Sequence, residues 1–212
     1  ILGEVTLFVS AIYCYQRRVT LLQLEYIIKG LAMPIVTILT YLFLYTPSIK
    51  DVVTGTQSNF ETSGGFGPNQ VSTVLGLGMF CFFALLIVFS KTKKLQLVHL
   101  VFLIIASFRG IVTFSRGGVF TAIAMIAVFI FILYWFANAR AKNLILVLSL
   151  GAVFIGSGVW SYSVTQTGGM IENRYANKDA RGKEKEDRLG GREEIAGTEL
   201  AMFMENPIWG IG

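Results

Sequence analysis

Residues 96–136 read QLVHLVFLIIASFRGIVTFSRGGVFTAIAMIAVFIFILYWF, and this stretch decides the fold class. It contains two apolar segments, 96–114 and 118–136, separated by the short break Ser115-Arg116-Gly117. A helix that crosses a membrane needs about 20 mostly apolar residues. Each segment is therefore predicted to be a membrane-spanning helix, and the break is predicted to be a turn at a membrane surface.

The rest of the chain has the same character. Of its 212 residues, 54% are hydrophobic and only 15% are charged, and the mean hydropathy is +0.63. A soluble domain carries about 25% charged residues. The sequence therefore predicts an all-α polytopic integral membrane protein. The predicted spans are residues 1–14, 27–46, 70–90, 96–114, 118–136 and 143–165.

Three further features bear on the arrangement of these spans. The chain has no initial methionine and begins inside an apolar run, so we expect it to be a fragment of a longer protein. Residues 20–26 are too polar to span and are predicted to form an interfacial lead-in to the second helix. Glycines within spans predict close helix packing, because small residues let helix backbones approach in lipid. These glycines are Gly76, Gly78, Gly151, Gly156 and Gly158.

The positive charge is distributed in a way that indicates topology. Residues 1–165 carry 11 Lys and Arg against 4 Asp and Glu, whereas residues 166–212 carry 7 against 9. The basic excess therefore lies near the ends of spans, and we predict no nucleic-acid partner. Three basic loops, 16–18, 91–94 and 138–142, fall on one side, which the positive-inside rule makes cytoplasmic. The predicted outer segments are 47–69, 115–117 and 166–212.

The outer loop 47–69 ends in Gly67-Pro68-Asn69, just before the third span. Asn69 is predicted to cap that helix, because an Asn side chain accepts a hydrogen bond from the free amides of a first turn. A second interpretation gives the loop a binding role. A glycine-rich loop beside a helix N-terminus can hold phosphate, and Asn69 would then contact the substrate.

The C-terminal stretch 166–212 differs in composition from the spans. Residues 172–194 are dense in charge and are predicted to be a solvated loop. An amphipathic helix is predicted over 192–205, because Ala196, Leu200 and Phe203 recur on one helical face. This helix is too short and too charged to cross the membrane, and it is predicted to lie on the outer surface and cover part of a cavity.

Three arginines are the candidate functional residues. Arg116 at the outer membrane surface is either a headgroup-contacting side chain or a ligand for an anion such as a lipid-linked pyrophosphate. Arg192 either pairs with neighbouring glutamates or binds the same anion at the start of its helix. Arg109 lies inside the fourth span, seven positions before Arg116, so the two are predicted to share one helix face.

The outer segments show no sequence pattern typical of a metal site, and the single histidine lies elsewhere. Asp51 and Glu61 are isolated there, and no carboxylates recur at metal-ligand spacing, so no metal site is predicted. His99 lies near the cytoplasmic end of the fourth span, away from the arginines, and is predicted to have a structural role.

An ordered set of short motifs resembles the O-antigen ligase / O-antigen polymerase family. The set comprises Gly67-Pro68-Asn69, the Phe-Ser-Arg-Gly-Gly motif of 114–118, Gly191-Arg192 and the Asn-Pro-Ile-Trp-Gly-Ile-Gly motif of 206–212. It covers about residues 60–212. Arg116 matches the arginine after the serine of the family's span-end motif, and Arg192 matches the arginine of its large outer loop.

The resemblance implies a function and a site. Family members are similar in being inner-membrane glycosyltransferases with a GT-C-like helical bundle and a large periplasmic loop. They take a glycan from undecaprenyl pyrophosphate and pass it to lipid A–core, to a second lipid-linked glycan or to protein, without a cofactor. The resemblance implies that Arg116 and Arg192, with Arg109 and Asn69, bind the pyrophosphate. The family's histidine would lie beyond Gly212, so the fragment alone is expected to be inactive.

Two other classes of function are compatible with outer arginines. A transporter or flippase for lipid-linked oligosaccharides would bind the same headgroup without turnover. It would be expected to show inverted repeats and broken helices near the midplane, and no internal repeat is visible here. A membrane scaffold without chemistry would leave Arg109 and Arg116 unexplained.

Overall fold

The computed structural model describes residues 2–184 and 192–207. Within these residues the chain is helical and contains no β-strand, and α4 continues directly into a π-helical turn, Leu85–Phe89. A short 3₁₀ turn, Glu61–Ser63, lies in the loop before α4. The helices are α1 Leu2–Cys14, α2 Leu21–Tyr45, α3 Ile49–Val52, α4 Pro68–Ala84, α5 Lys93–Val112, α6 Arg116–Phe136, α7 Ala139–Gln166, α8 Met170–Tyr175 and α9 Arg192–Glu205.

Five of these helices are long and apolar enough to cross a membrane. They are Leu21–Tyr45, Pro68–Phe89, Lys93–Val112, Arg116–Phe136 and Ala139–Gln166. The apolar part of α1, Val5–Cys14, is shorter. Many large apolar side chains on these helices are exposed, as expected for surfaces that face lipid rather than water. The chain is therefore an all-α polytopic membrane protein, as predicted.

The five long helices all begin two to six residues before the predicted spans, and two of these starts change how the arrangement is interpreted. Residues 21–26 are the first turns of α2, not a separate lead-in, because Thr20 and Gln23 form a capping box that begins the helix there. The helix after the break begins at Arg116 rather than at 118. Arg109 and Arg116 consequently belong to different helices, α5 and α6, so the prediction that they share one helix face is wrong.

The core of the bundle is built around α4, which packs against α2, α5 and α6. Gly76 and Gly118 make the α4–α6 crossing possible. A Cβ on Gly118 would lie 2.1 Å from the Ser72 carbonyl oxygen, and a Cβ on Gly76 would lie 2.4 Å from the Gly118 carbonyl oxygen. Gly78 is similarly close, with its Cβ position 2.7 Å from Ile35 Cγ2. Close packing was predicted correctly for the two glycines of α4.

The glycines of α7 behave differently. No atom of the described residues lies within 4 Å of a Cβ built on Gly151, Gly156 or Gly158. The prediction of close packing there is wrong for this part of the chain. The physical reason is that α7 lies at the edge of the bundle, where it touches mainly α5 and α6 and exposes most of its surface.

The connecting loops gather at the two ends of the bundle. One end, called the loop end below, contains residues 46–67, 113–115 and 167–184. These segments contact one another there: the Asn59 amide donates to the Thr113 carbonyl, and Arg174 Nε donates to the Phe114 carbonyl. The basic loops 16–18, 91–94 and 138–142 lie at the other ends of the same helices. At that end His99 Nδ1 is 2.7 Å from Ser90 Oγ, which gives the buried histidine a structural contact.

Candidate functional site

The break between α5 and α6 is a tight, fully buried turn. Phe114 has φ +60°, a left-handed conformation that a bulky residue rarely adopts, and its side chain is completely buried. The Ser115 amide donates to Thr113 Oγ1 at 3.2 Å, and that hydroxyl donates to the Gly110 carbonyl at 2.8 Å. Backbone strain of this kind persists only where the surroundings hold it, and it is concentrated at functional sites.

Every carbonyl of this turn is held by a donor from a distant part of the chain. Four consecutive carbonyl groups, at residues 112–115, lie between the last turn of α5 and the first turn of α6. The bonds are Thr62 Oγ1 to Val112 O at 2.8 Å, Asn59 N to Thr113 O at 3.2 Å, Arg174 Nε to Phe114 O at 3.0 Å, and Ser72 Oγ to Ser115 O at 2.8 Å. The loop before α4, α4 itself and α8 therefore fix the position at which α6 begins.

Asn69 reaches this turn but does not cap α4, and its role in substrate binding stays a prediction. The N-cap of α4 is Gly67 and its first residue is Pro68, so Asn69 already lies inside the helix and the prediction that it caps the helix is wrong. Proline supplies the helical φ at that first position and lacks the amide that a cap would satisfy. The Asn69 Oδ1 instead accepts a hydrogen bond of 2.8 Å from Ser115 Oγ, next to Arg116.

The start of α6 presents groups that suit an anion. Arg116 is the first residue of the helix, and Gly117 and Gly118 follow it. Ser115 is the N-cap but makes no side-chain bond to the first-turn amides, and its hydroxyl donates to Asn69 instead. Free amides and the helix dipole favour negative charge at such a terminus. The guanidinium of Arg116 lies at the same place and carries a permanent positive charge.

Two residues of α8 complete this cluster, and the sequence did not indicate either of them. Arg116 Nη1 is 3.5 Å from the Arg174 carbonyl, and Arg174 in turn donates to the Phe114 carbonyl. Tyr175 follows, packed edge-on against the rings of Trp160 and Phe120. Both lie in a charge-dense stretch about 60 residues after the break, and no local pattern in the sequence connects them with Arg116.

The hydroxyl of Tyr175 is buried and has no hydrogen-bond partner among the described residues. Burial raises the pKa of the Tyr175 phenol to about 12, while the charges of Arg116 and Arg174 act in the opposite direction. The phenol therefore stays protonated at any physiological pH and remains a hydrogen-bond donor.

Arg109 lies at the contact between α5 and α2, and not in the cluster around Arg116. Its side chain is buried, and Nη2 donates to the Leu42 carbonyl in the last turn of α2 at 2.8 Å. A cation at the C-terminal end of a helix is favourable, so Arg109 joins α5 to α2. Its Nη1 has no hydrogen-bond partner in the described part of the chain. A role for Arg109 in substrate binding stays a prediction.

The second predicted catalytic arginine, Arg192, is the first residue of α9. That helix runs from Arg192 to Glu205, the range predicted from the sequence. The side chains from Glu194 to Pro207 are exposed in the described part of the chain, and the prediction that α9 covers part of a cavity stays a prediction. The preceding Gly191 and the motif residues 208–212 lie outside the described residues, and a role for Arg192 stays a prediction.

Two cavities lie among the described loops and helices. A polar one of about 390 Å³ opens at the loop end, where residues 54–59 face Asp179 and Ala180. An apolar one of about 900 Å³ lies among α4, α5, α6 and α7. In residues 2–184 and 192–207 no group of three His, Cys, Asp or Glu is placed to hold a metal ion.

The fold and this cluster define a class of protein: a polytopic membrane protein with a cationic site where its loops converge. A family model described as O-antigen ligase matches residues 100–212, which is more than half of the chain and includes the break, α6, α7, α8 and α9. The chain therefore belongs to the O-antigen ligase family, whose activity is glycan transfer of the ligase or polymerase type. No curated protein and no solved structure matches the chain.

Proposed function

We propose that the protein transfers a glycan from undecaprenyl pyrophosphate to lipid A–core or to a second lipid-linked glycan, at the periplasmic face of the bacterial inner membrane. One observation carries the proposal. Arg116 stands at the N-terminus of α6, and the strained turn before it is held by four donors from three other segments. A cation carried by a backbone that is held in this way suits a reaction in which negative charge develops on a leaving pyrophosphate.

In the proposed mechanism the arginines supply electrostatic stabilisation. Arg116 and Arg192 bind the pyrophosphate, and their guanidinium groups offset the charge that builds as the glycosidic bond to phosphate breaks. Asn69 holds Ser115, and through it the start of α6, in register with α4. Because guanidinium groups perform the charge neutralisation, transfer is expected to be metal-independent and to continue in the presence of EDTA.

The proposed sidedness follows from charge. The basic loops lie at one end of the helices, which the positive-inside rule assigns to the cytoplasm. The loop end, with residues 47–69, Arg116 and the stretch from 166 onward, is then periplasmic.

A complementation experiment tests the proposal. The full-length protein is expressed in cells that lack the endogenous enzyme, and glycan-bearing lipopolysaccharide is resolved on a gel. Arg116→Ala and Arg192→Ala are expected to abolish transfer. Arg181→Ala is the matched control, because Arg181 is an exposed arginine of the same end whose hydrogen bond to Asp179 uses only its backbone amide.

The gel pattern also separates the finer alternatives. Glycan that accumulates on the lipid carrier while lipid A–core stays bare indicates a ligase, whereas a ladder that collapses to one repeat indicates a polymerase. Wild-type transfer by both arginine variants would contradict the proposal and favour a transporter of lipid-linked oligosaccharide.

A further inference from the structure

The hydroxyl of Tyr175 is the starting point. It is buried beside Arg116 and Arg174, and within residues 2–184 and 192–207 it has no hydrogen-bond partner. In folded proteins the large majority of buried polar side-chain atoms have a partner, so an exception needs an explanation. A buried hydroxyl that is left unpaired costs stability, and a phenylalanine would avoid that cost.

Packing does not explain the hydroxyl. The ring of Tyr175 makes T-shaped contacts with Trp160, at 4.8 Å between centroids, and with Phe120, at 5.5 Å. A phenylalanine ring at this position would keep both contacts. Packing therefore explains why an aromatic ring is present at position 175, but it does not explain the hydroxyl group.

The surroundings indicate what kind of partner is missing. The charges of Arg116 and Arg174 both act on the phenol, and a guanidinium can donate hydrogen bonds but cannot accept them. The phenol remains protonated because burial raises its pKa to about 12. The place therefore holds positive charge together with donors, and a phosphate group supplies both negative charge and several acceptor oxygens.

The geometry also provides a way in for such a ligand. The bond from Arg116 Nη1 to the Arg174 carbonyl is 3.5 Å, at the long limit for a hydrogen bond. The side chains of Arg116 and Arg174 are only partly buried, so a ligand from solvent can reach both of them.

We propose that Tyr175 is a further pyrophosphate-binding residue, which donates its hydroxyl hydrogen bond to a phosphate oxygen held between Arg116 and Arg174. This inference rests on the proposed function and adds a neutral donor to its charged site. No bond is made or broken by Tyr175, which binds and orients the leaving group.

The test measures stability and binding on the same variants of the full-length protein in detergent. Farnesyl pyrophosphate, a short isoprenyl pyrophosphate, serves as the binding probe in isothermal titration calorimetry, and Tm is measured without ligand. Tyr175→Phe is expected to weaken binding about tenfold, as for loss of one hydrogen bond to a charged group, while Tm stays equal or rises. Tyr162→Phe, at an exposed tyrosine of α7, is the matched control and is expected to change neither quantity.

Arg116→Ala separates this proposal from the proposed function. If it weakens binding while Tyr175→Phe binds like wild type, the assignment of Tyr175 is wrong and the arginine site stands. If neither variant changes binding, both proposals fail. A lower Tm for Tyr175→Phe would show that the hydroxyl stabilises the fold through a partner of its own, and would also overturn the assignment.

Discussion

At the scale of single residues, two positions show how closely the site is tied to the packing. Phe114 is buried in a left-handed conformation that glycine would adopt without strain, and Gly118 touches the backbone of α4. Phe114 therefore occupies the strained backbone position, and Gly118 occupies the position where a side chain has no room. Together they position the first turn of α6, which carries Arg116.

Gly118→Ala is expected to destabilise the protein, because the added Cβ would lie 2.1 Å from the Ser72 carbonyl oxygen and the two backbones would have to separate. Overpacking of this kind costs about 1–3 kcal/mol or more. Gly117→Ala, one residue earlier, meets nothing within 4 Å and is the control. Thermal unfolding in detergent compares the two variants, and equal Tm values would contradict the close crossing of α4 and α6.

The raised pKa of the Tyr175 phenol predicts how the stability of the protein changes with pH. Its pKa in the folded protein is about 12, against 10.0 ordinarily. Between these values the unfolded chain binds fewer protons than the folded one, so the contribution of Tyr175 is fully present below pH 10 and is lost as pH rises towards 12. The loss is at most about 3 kcal/mol for two pKa units. Tm measured from neutral to alkaline pH should fall less steeply in Tyr175→Phe than in wild type or Tyr162→Phe, and parallel curves would refute the shift.

At the scale of elements, the turn between α5 and α6 acts as the junction of the loop end. Its four carbonyl groups receive bonds from the loop before α4, from α4 and from α8. Donors that are far apart in the chain thus converge on one short segment. A change in any of these elements should therefore reach the start of α6.

Ser72→Ala tests this coupling, because it removes the donor to the buried Ser115 carbonyl. Leaving that carbonyl unpaired should cost about 1–3 kcal/mol of stability and reduce glycan transfer. Thr73→Ala is the neighbouring control, since the Thr73 hydroxyl is exposed and bonds only within its own helix, to the Asn69 carbonyl. Unchanged transfer by Ser72→Ala, together with unchanged Tm, would show that the turn does not depend on α4.

The elements also show which features a sequence can reveal. Apolar length and the motif around Arg116 were enough to predict a helix on each side of the break, because burial in lipid is a property of each segment by itself. The hydroxyl and amide donors to the turn were not predictable, since Ser72 and Thr62 are ordinary loop or helix residues until the fold brings them to residues 112–115. Arg174 and Tyr175 were missed for the same reason, in a stretch where charge suggested only a solvated loop.

At the scale of the whole molecule, successive loops lie at opposite ends of the helix bundle, and the two ends differ chemically. The basic loops lie at one end, and the strained turn, the polar cavity and the Arg116–Arg174–Tyr175 cluster lie at the other. The proposed function depends on this separation, because the site has to face the compartment in which the lipid-linked glycan is presented.

Cysteine labelling tests the sidedness. In a full-length background in which Cys14 and Cys81 are replaced, Glu61→Cys at the loop end should react with a membrane-impermeant maleimide added to spheroplasts. Lys94→Cys, at the basic end, should react only after the membrane is permeabilised. Glu61 and Lys94 are both exposed, so access of the reagent to a thiol at either position depends on the side of the membrane. The reverse labelling pattern would place the site in the cytoplasm and contradict the account.

The central claim is that Arg116 stabilises the leaving pyrophosphate. Its most direct test is the rate at which purified full-length protein, reconstituted in proteoliposomes with an acceptor, releases undecaprenyl pyrophosphate from its glycan-linked form. Arg116→Ala is predicted to be about 100-fold slower than wild type at an unchanged Tm, as for loss of one preorganised transition-state contact, while Arg181→Ala keeps the wild-type rate. An Arg116→Ala rate within about twofold of wild type would contradict the claim.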